Sequence, residues 1–382
     1  INLALLGVFK YSGFFMENVN AVFGLEVEVK KLPLPIGISF YTFQSISYLV
    51  DIYRRVCPPQ KSLIKMGLFI SFFPQLIAGP ILKYYDIAAQ IDNRKVSLPL
   101  FNQGAVRFLQ GLAKKIIIAN IMAKTADEIF ALGINDISTP MAWIGIVAYT
   151  FQIYFDFSGY SDMAIGLGKM FGFHINENFN YPYIATSIKD FWRRWHISLS
   201  TWFKEYLYIP LGGNREGKFK TYRNLMIVFF MTGLWHGASW NFVVWGLFHG
   251  VFLVLERMLP IEKFLRFRLI QNIYALLVVM VGWVFFRAEN LTSALDYLKR
   301  MFVPYKTDVY SAYLSNEFMM VAALGLVSCG FLTLIFDKLP VKTEYKFGFL
   351  RLVNPAWCAV IAYFSVLLLA SNTYNPFIYF RF

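Results

Sequence analysis

Long apolar runs separated by short polar loops make up most of this chain. A transmembrane helix needs roughly 20 predominantly apolar residues. The runs that approach or exceed this length are Leu32–Tyr53, Met66–Leu82, Phe101–Ala123, Met141–Phe173, Leu225–Leu255, Leu269–Phe286, Phe318–Phe336 and Ala356–Ser371, with a shorter stretch at Ile1–Phe15. None alternates apolar and polar residues as the strands of a membrane barrel do. The pattern predicts an all-α, polytopic integral membrane helical bundle.

One apolar run is too long for a single crossing. A continuous helix over Leu225–Leu255 would measure about 46 Å, against a hydrocarbon core of about 30 Å. Two glycines, Gly233 and Gly237, flank a histidine inside this run and weaken a helix there. We therefore predict that the run is broken or re-entrant at Gly233–Gly237.

Composition supports a membrane protein and excludes an ordinary soluble domain. Hydrophobic residues make up 57% of the chain and charged residues 15%, whereas globular domains carry about 25% charged residues. The net charge of +13 would suggest nucleic acid in a soluble protein. Here it is better explained by basic cytoplasmic loops, which we place at Arg54–Lys65, Arg215–Arg223 and Lys338–Arg351, while Lys124–Pro140 is a candidate for the other side.

Residues 1–382 show no internal repeat and no linker, so we predict one membrane domain. The chain begins at Ile1 within an apolar stretch, and we expect further N-terminal spans to precede it. The three cysteines lie far apart and form no zinc-ligand spacing, so no metal site is predicted.

The segment Asn178–Arg215 is rich in aromatic residues yet too charged to cross lipid unprotected, so it is predicted to be interfacial or re-entrant. Asp190 lies three and four residues before Arg193 and Arg194, within reach of both. An amphipathic anchor at the headgroups and an acyl-donor or acceptor site remain alternative interpretations. On a helix, one stripe would carry Trp192, His196 and Ser200.

An ionisable side chain inside an apolar run is a functional-site hypothesis by default, and His236 is one. On a continuous helix, Thr232, Ser239 and Trp240 share its face, and Gly233 leaves room beside the imidazole. Such a histidine can act as a general base near neutral pH. The alternative is a structural histidine bonded to a carbonyl of a neighbouring helix.

The remaining two histidines carry less weight. On one continuous helix His249 would lie about 140° around and about 20 Å along from His236. This position favours packing or a separate pathway residue. His174 follows a glycine-rich stretch and is interpreted as a loop residue.

Two carboxylates, Asp156 and Asp162, interrupt another apolar run. They lie about 120° apart on a helix and do not form a pair by spacing. Buried acids in membranes usually have partners, and the candidates are Arg193, Arg194 and Lys169. A structural salt bridge and a catalytic acid or tunnel charge both remain open.

Several signatures are absent from the sequence. It contains no GxSxG nucleophile elbow, no GxGxxG fingerprint, no P-loop and no HExxH motif. The GxxxG spacing of Gly168 and Gly172 predicts close helix packing.

Five long motifs, in order along nearly the whole chain, are similar to the membrane-bound O-acyltransferase superfamily, and more closely to its bacterial branch that acetylates alginate and peptidoglycan. They are SFFPQLIAGPI (Ser71–Ile81), YFDFSGYSDMAIGLGKMFGF (Tyr154–Phe173), NFNYPYIATSIKDFWRRWHISLSTWFKEYLYIPLGGNR (Asn178–Arg215), LWHGASWNFVVWGLFHG (Leu234–Gly250) and FIYFRF (Phe377–Phe382). A teichoic-acid D-alanyl transfer protein is a more distant relative.

The resemblance implies that His236 matches the catalytic histidine of the family and His196 its second histidine. It also implies a multi-pass protein of the bacterial inner membrane, with acetyl-CoA as donor from the cytoplasm. The acetyl group would pass through a tunnel to an extracytoplasmic polysaccharide or a periplasmic partner acetyltransferase. The bias toward Phe, Ile, Lys, Asn and Tyr suggests an AT-rich genome and favours peptidoglycan over alginate.

Transfer from a thioester to a hydroxyl needs a base, a donor to the oxyanion and exclusion of water. His236 is our base, and Arg193, Arg194 and Lys204 suit the phosphates of coenzyme A. The oxyanion donor is left open among Ser239, Trp240, Asn241 and a backbone N–H at the break. The residues predicted to bind substrate are Asp190, Trp192, Arg193, Arg194, Lys204, Trp235, Ser239, Trp240 and Asn241. A secondary transporter and a non-catalytic scaffold are the alternatives outside the enzymes.

Overall fold

A computed structural model describes residues 1–29, 32–306, 310–332 and 355–371. Within these ranges the regular secondary structure is helical and contains no strand, as the sequence predicts. The helices are α1 (Asn2–Leu6), α2 (Ser12–Phe23), α3 (Ile38–Tyr53), α4 (Leu63–Ile70), α5 (Tyr84–Asn93), α6 (Leu98–Ala113), α7 (Asn120–Phe130), α8 (Thr139–Met170), α9 (Ile188–Arg194), α10 (Ile197–Phe203), α11 (Lys218–His236), α12 (Trp240–Met258), α13 (Ile261–Phe264), α14 (Arg268–Arg287), α15 (Leu291–Phe302), α16 (Asn316–Ser328) and α17 (Pro355–Ser371).

Two helices among the described residues are long and apolar enough to cross a membrane, namely α12 and α14. α16 and the segment Cys358–Ser371 are shorter apolar helices. The basic loop predicted at Lys338–Arg351 and the terminal FIYFRF motif lie outside the described residues.

Helices α6 and α8 run antiparallel in close contact because glycines face each other across them. A Cβ on Gly104 would lie 2.5 Å from the carbonyl oxygen of Gly166, and one on Gly111 equally close to that of Gly159. Small residues of this kind let backbones approach closely. The GxxxG prediction chose the wrong glycines, because Gly172 lies beyond the end of α8 with a φ of +78° and takes no part in this crossing.

The buried carboxylates of α8 pair with cations of α6 and of the π-helical segment that follows it, Lys114–Ala119. Asp162 accepts from Arg107 at 2.6 Å and from Lys114 at 2.6 Å, and Asp156 pairs with Lys115 at 2.6 Å. The sequence predicts other partners, namely Arg193, Arg194 and Lys169. That prediction is wrong because these ion pairs join different helices, and spacing along one helix does not reveal which helix lies beside it.

The break predicted within Leu225–Leu255 is confirmed. α11 ends at His236 and α12 begins at Trp240. The two helices fold back on each other, with Gly233 against Phe242 and Gly246 against Phe229. The apolar run is therefore a helical hairpin, and the chain reverses direction at the predicted histidine.

The apolar run Met66–Leu82 does not form one long helix. α4 ends at Ile70, and the chain then continues through turns that contain Pro74 and Pro80. Proline lacks a backbone N–H and disfavours helix at the preceding residue. Much of this irregular segment is buried, including Gln75 and Ala78, which is the condition under which non-helical backbone is tolerated at membrane depth.

Candidate active site

His196 lies at a sharp break between two short helices. The Ser187 hydroxyl caps α9 by accepting from the backbone N–H of Asp190 at 3.1 Å. α9 ends at Arg194, and α10 begins after His196, whose φ is +43°. The left-handed region is uncommon for residues other than glycine and is found at functional sites. The single helical stripe predicted for Trp192, His196 and Ser200 is therefore interrupted.

The His196 imidazole is fully buried and held by one side chain. Its Nδ1 lies 3.2 Å from Oδ1 of Asn178, and its ring meets Phe157 edge-on at a centroid distance of 4.7 Å. Within the described part of the chain its Nε2 has no hydrogen-bond partner. One nitrogen is thus fixed, and the other faces the interior with its hydrogen-bonding capacity unused.

His236 is the last residue of α11 and lies in an aromatic setting. Its ring contacts Trp235, Trp245 and Phe286 at centroid distances of 4.9, 5.0 and 5.1 Å. Together with Trp235 it lines a cavity of about 220 Å³, whose remaining wall is Lys10, Ile77 and the segment 34–40. A histidine that lines a cavity while its ring is held by neighbours is suited to acid–base chemistry on a bound group.

The π-helical segment Gly7–Tyr11, between α1 and α2, anchors the end of α11. Lys10 Nζ donates to the carbonyl of Trp235 at 2.5 Å, to that of His236 at 3.2 Å and to Ser39 Oγ at 3.2 Å. The Tyr11 hydroxyl donates to the carbonyl of Leu234 at 2.6 Å. The last carbonyls of a helix lack intrahelical donors, and a cation near them is favourable.

Sequence reasoning missed both anchoring residues. A lysine and a tyrosine stand side by side within the apolar stretch Ile1–Phe15. That interruption is the signal from which Lys10 and Tyr11 could have been found.

Trp235 links the two histidines. Its ring centroid is 4.9 Å from that of His236 and 6.1 Å from that of His196, and Phe40 and Phe43 each lie 5.4 Å away on its other sides. Of the predicted binding residues, Trp235 is the one placed between the proposed catalytic groups.

His249 lies much closer to this site than the sequence suggests. The predicted separation of about 20 Å between His236 and His249 assumes one continuous helix. It is wrong because the chain folds into a hairpin between the two residues. Trp245 contacts both histidines, with centroid distances of 5.0 Å to His236 and 5.3 Å to His249. Neither ring nitrogen of His249 has a hydrogen-bond partner among the residues the structure describes.

Trp192 packs behind His249 and away from the cavity at His236. Its ring lies 5.2 Å from that of His249 and 5.7 Å from that of Trp245, and it is buried.

The predicted polar residues of α9 and α10 lie elsewhere. Asp190 pairs with Arg194 at 2.9 Å, and Arg194 also donates to the carbonyl of Asn180 at 3.2 Å. Arg193 and Lys204 are exposed. These cations therefore face the surface and do not line the cavity at His236.

The candidate oxyanion donors Ser239, Trp240 and Asn241 all follow the break between α11 and α12, and each has different surroundings. Trp240 is 55% exposed, and its indole donates to Asn18 Oδ1 at 2.9 Å. Asn241 is buried and donates to the carbonyl of Ala288 at 2.7 Å. Ser239 precedes α12 and makes no capping hydrogen bond with its side chain. The shared helical face predicted for Thr232, His236, Ser239 and Trp240 does not exist, because no single helix carries all four.

Two further groups of charged residues do not line the cavity at His236. Lys83 pairs with Glu205 at 2.9 Å, and Arg54 donates to the carbonyl of Glu205 at 3.1 Å. The Lys220 ammonium, at 2.7 Å, lowers the pKa of the exposed Glu216 carboxyl. The length of α11 places its first residue, Lys218, about 27 Å from His236 at 1.5 Å per residue. In the described ranges, no group of three or more His, Cys, Asp or Glu residues could hold a metal ion.

Comparison with known proteins adds a family and several relatives. Residues 57–292 match the model of the membrane-bound O-acyltransferase family. A probable alginate O-acetylase of Pseudomonas putida is 44% identical over 405 residues, covering 100% of this chain and 83% of the relative. That of Azotobacter vinelandii is 52% identical, covering 79% and 61%. A peptidoglycan O-acetyltransferase of Helicobacter pylori is 42% identical, covering 78% and 63%. The alignments thus span less than two thirds of the last two relatives.

Proposed function

Because the chain belongs to the membrane-bound O-acyltransferase family and is an acyltransferase, we propose that it moves an acetyl group from cytoplasmic acetyl-CoA to an extracytoplasmic polysaccharide, with His236 as general base. The observation that carries this proposal is the placement of His236 on the wall of a cavity at the end of a broken helix. His196 lies on the other side of Trp235 and is proposed as the second catalytic histidine.

The reaction would proceed by attack of an acceptor hydroxyl on the thioester carbonyl. His236 takes the hydroxyl proton as the oxygen–carbon bond forms, the carbon–sulfur bond breaks, and the proton passes to the leaving thiolate. The aromatic rings around His236 keep water from the reacting carbonyl, which limits hydrolysis of the donor. Whether the acetyl group rests on an intermediate carrier does not alter the need for this base.

The donor is proposed to bind at the basic end of α11, on the cytoplasmic side by the positive-inside bias. Exposed Arg193 and Lys204 are the cations we assign to the phosphates of coenzyme A, because Arg194 is already paired with Asp190. Since α11 holds His236 about 27 Å from its first residue, we propose that a tunnel through the protein interior admits the acetyl group while it is still bonded to the sulfur of coenzyme A. The bundle would then lie in the bacterial inner membrane.

Two polysaccharides are candidates for the acceptor, reached directly or through a periplasmic partner acetyltransferase. The amino-acid bias of the chain favours peptidoglycan. Relatives named as alginate O-acetylases share 44% and 52% identity with the chain, against 42% for the peptidoglycan relative, which favours alginate or a related exopolysaccharide. D-alanyl transfer to teichoic acid is the third alternative.

Mass spectrometry of cell-wall and capsular sugars tests both the acceptor and the base. Cells lacking the gene would be complemented with the native protein, with His236→Ala or with Glu216→Gln as a control at an exposed position outside the cavity lining. We expect His236→Ala to reduce acetylation by about 10²- to 10⁴-fold, the range that general acid–base catalysis contributes. The polymer that loses acetyl groups identifies the acceptor.

Full acetylation with His236→Ala, at equal protein level, would show that His236 is not the base. A transporter or scaffold role for the cavity is tested with purified protein in nanodiscs. Release of free coenzyme A from acetyl-CoA in the presence of acceptor or partner is the expected result, and its absence in all such mixtures contradicts the proposed donor.

A further inference from the structure

We propose that Asn178 is a positioning residue that holds His196 as the neutral tautomer with its proton on Nδ1, so that Nε2 can only accept a proton or a hydrogen bond. The catalytic role that we give to this tautomer rests on the proposed function. The tautomer itself follows from the geometry around Asn178.

The orientation of the Asn178 amide is fixed by a backbone group. The backbone N–H of Ser198 lies 3.1 Å from Oδ1 of Asn178, and a backbone N–H can only donate. The atom that faces it must therefore be the amide oxygen and not the amide nitrogen. On the opposite side the amide nitrogen donates to Ser161 Oγ at 3.2 Å, which agrees with the same orientation.

The tautomer of His196 follows from that orientation. Nδ1 of His196 lies 3.2 Å from the same Oδ1. An amide oxygen is only an acceptor, so Nδ1 must carry the hydrogen. In a neutral imidazole the other nitrogen then carries a lone pair. His196 therefore presents Nε2 as an acceptor, at an atom that has no partner within the described ranges.

The backbone around both residues supports a fixed geometry. The backbone N–H of Ile197 donates to the carbonyl of Asn178 at 2.9 Å, and that of Asn180 donates to the carbonyl of Arg194 at 2.9 Å. Asn178 and His196 are each 0% exposed. The amide has no space in which to exchange its oxygen and nitrogen without losing the Ser198 and Ser161 hydrogen bonds.

The tautomer of His196 gives the two proposed catalytic histidines different roles in proton transfer. With a lone pair at Nε2, His196 cannot supply the first proton to a leaving thiolate. It can accept a hydrogen bond or a proton from a reacting group, while the proton that reaches the thiolate comes from the acceptor hydroxyl through His236. Asparagine differs from aspartate here because it fixes the ring without adding a charge that would favour the imidazolium.

Nitrogen NMR tests the tautomer directly. The chain has four histidines, so histidine-selective ¹⁵N labelling in nanodiscs gives few signals, and His196→Gln assigns those of His196. We expect a protonated Nδ1 and an unprotonated Nε2 in the native protein. Protonation at Nε2, or a mixture of both tautomers, would overturn the proposal.

Substitutions connect the tautomer to activity. Asn178→Leu removes the acceptor, and we expect the fixed Nδ1–H signal to be lost and acetyl transfer to fall by at least about tenfold, because a catalytic histidine in the wrong tautomer is inactive. Asn178→Asp keeps an acceptor for Nδ1–H and should restore the Nδ1–H signal and part of the transfer. A Leu variant that keeps the signal, or an Asp variant that loses it, contradicts the proposal.

Ser198→Ala is the matched control. The Ser198 hydroxyl donates to the same Oδ1 at 2.9 Å, so this variant removes one hydrogen bond from Asn178 and leaves the one to His196. We expect an unchanged tautomer. The NMR signal is recorded without turnover, so it does not depend on whether His236 is the base. A wrong role for His236 would appear in the acetyl-transfer measurements, and a wrong role for Asn178 would appear in the Nδ1–H signal.

Discussion

The α6–α8 crossing pairs its buried charges, whereas the region around the histidines leaves several buried ring nitrogens without hydrogen-bond partners among the described residues. At the crossing the carboxylates Asp156 and Asp162 meet cations of the neighbouring helix at 2.6 Å. Around the histidines we define an imidazole–indole cluster of His196, Trp235, His236, Trp245 and His249. Within the described ranges, Nε2 of His196, both ring nitrogens of His249 and the indole nitrogens of Trp235 and Trp245 have no hydrogen-bond partner.

This difference distinguishes the α6–α8 crossing, which is a structural framework, from the imidazole–indole cluster, which is the candidate site. A buried polar group without a partner costs about 1–3 kcal/mol, so native proteins keep few of them. The crossing satisfies its charges and uses glycines to bring backbones together, as a framework does. The imidazole–indole cluster retains several unpartnered ring nitrogens among the described residues. Two of its members, Trp235 and His236, line the cavity, where a bound donor, acceptor or ordered water can form hydrogen bonds with them.

The largest effect expected in the framework comes from Asp162→Leu. This change leaves Lys114 and Arg107 without their shared buried carboxylate, and breaking a buried ion pair on one side costs about 3–5 kcal/mol. The thermal unfolding midpoint in detergent should fall clearly. Glu216→Gln removes an exposed pair with Lys220 and should leave the midpoint unchanged. An unaltered midpoint for Asp162→Leu would show that the crossing is not held by its ion pairs.

An intermediate effect is expected at the anchor of α11. Lys10→Met removes the donor to the carbonyls of Trp235 and His236, and a cation at a helix C-terminus is worth up to about 2 kcal/mol when partly buried. We expect a modest loss of stability and a larger loss of acetyl transfer, because His236 is the residue at the freed helix end. Coenzyme A release per folded protein measures the second quantity.

Tyr11→Phe is the matched control for the anchor. It removes only the hydrogen bond to Leu234 and should reduce transfer less than Lys10→Met. Equal activity of Lys10→Met and the native protein would mean that the end of α11 is held without the lysine.

The smallest effect is expected for Trp240→Phe. Trp240 is 55% exposed and loses one hydrogen bond to Asn18, so the change in stability should be below about 1 kcal/mol and transfer should be preserved. Trp235→Phe, five residues earlier and 4% exposed between the two histidines, should reduce transfer. If both variants behave alike in the sugar analysis, the distinction between the cluster and its surroundings fails.

Much of the fold could be predicted because helix formation depends on residues that are close together in the sequence. The apolar runs predicted most of the helices, and the length of Leu225–Leu255 alone required a break near His236. The resemblance in sequence also pointed to His196 and His236, which the structure places on either side of Trp235. Pro74 and Pro80 are the sequence signal for the irregular part of Met66–Leu82, and the prediction from apolar runs alone did not use it.

The errors concern residues whose neighbours come from another helix. The ion partners of Asp156 and Asp162, the proximity of His249 to His236, and the anchoring by Lys10 all depend on which helices lie side by side. Spacing along one helix cannot reveal this, because it describes directions around a single axis.

The sequence by itself determined a helical chain of membrane composition, the break in its longest apolar run and the residue types available for acyl transfer. The tertiary structure decided that this break is a hairpin, that Asn178 fixes the tautomer of His196 and that Lys10 holds the helix end at His236. The physical reason is that helix formation and chain breaks depend on neighbours within a few residues. Hydrogen bonds such as that from Lys10 to His236 join residues more than 200 positions apart, and only packing of the whole chain brings them together.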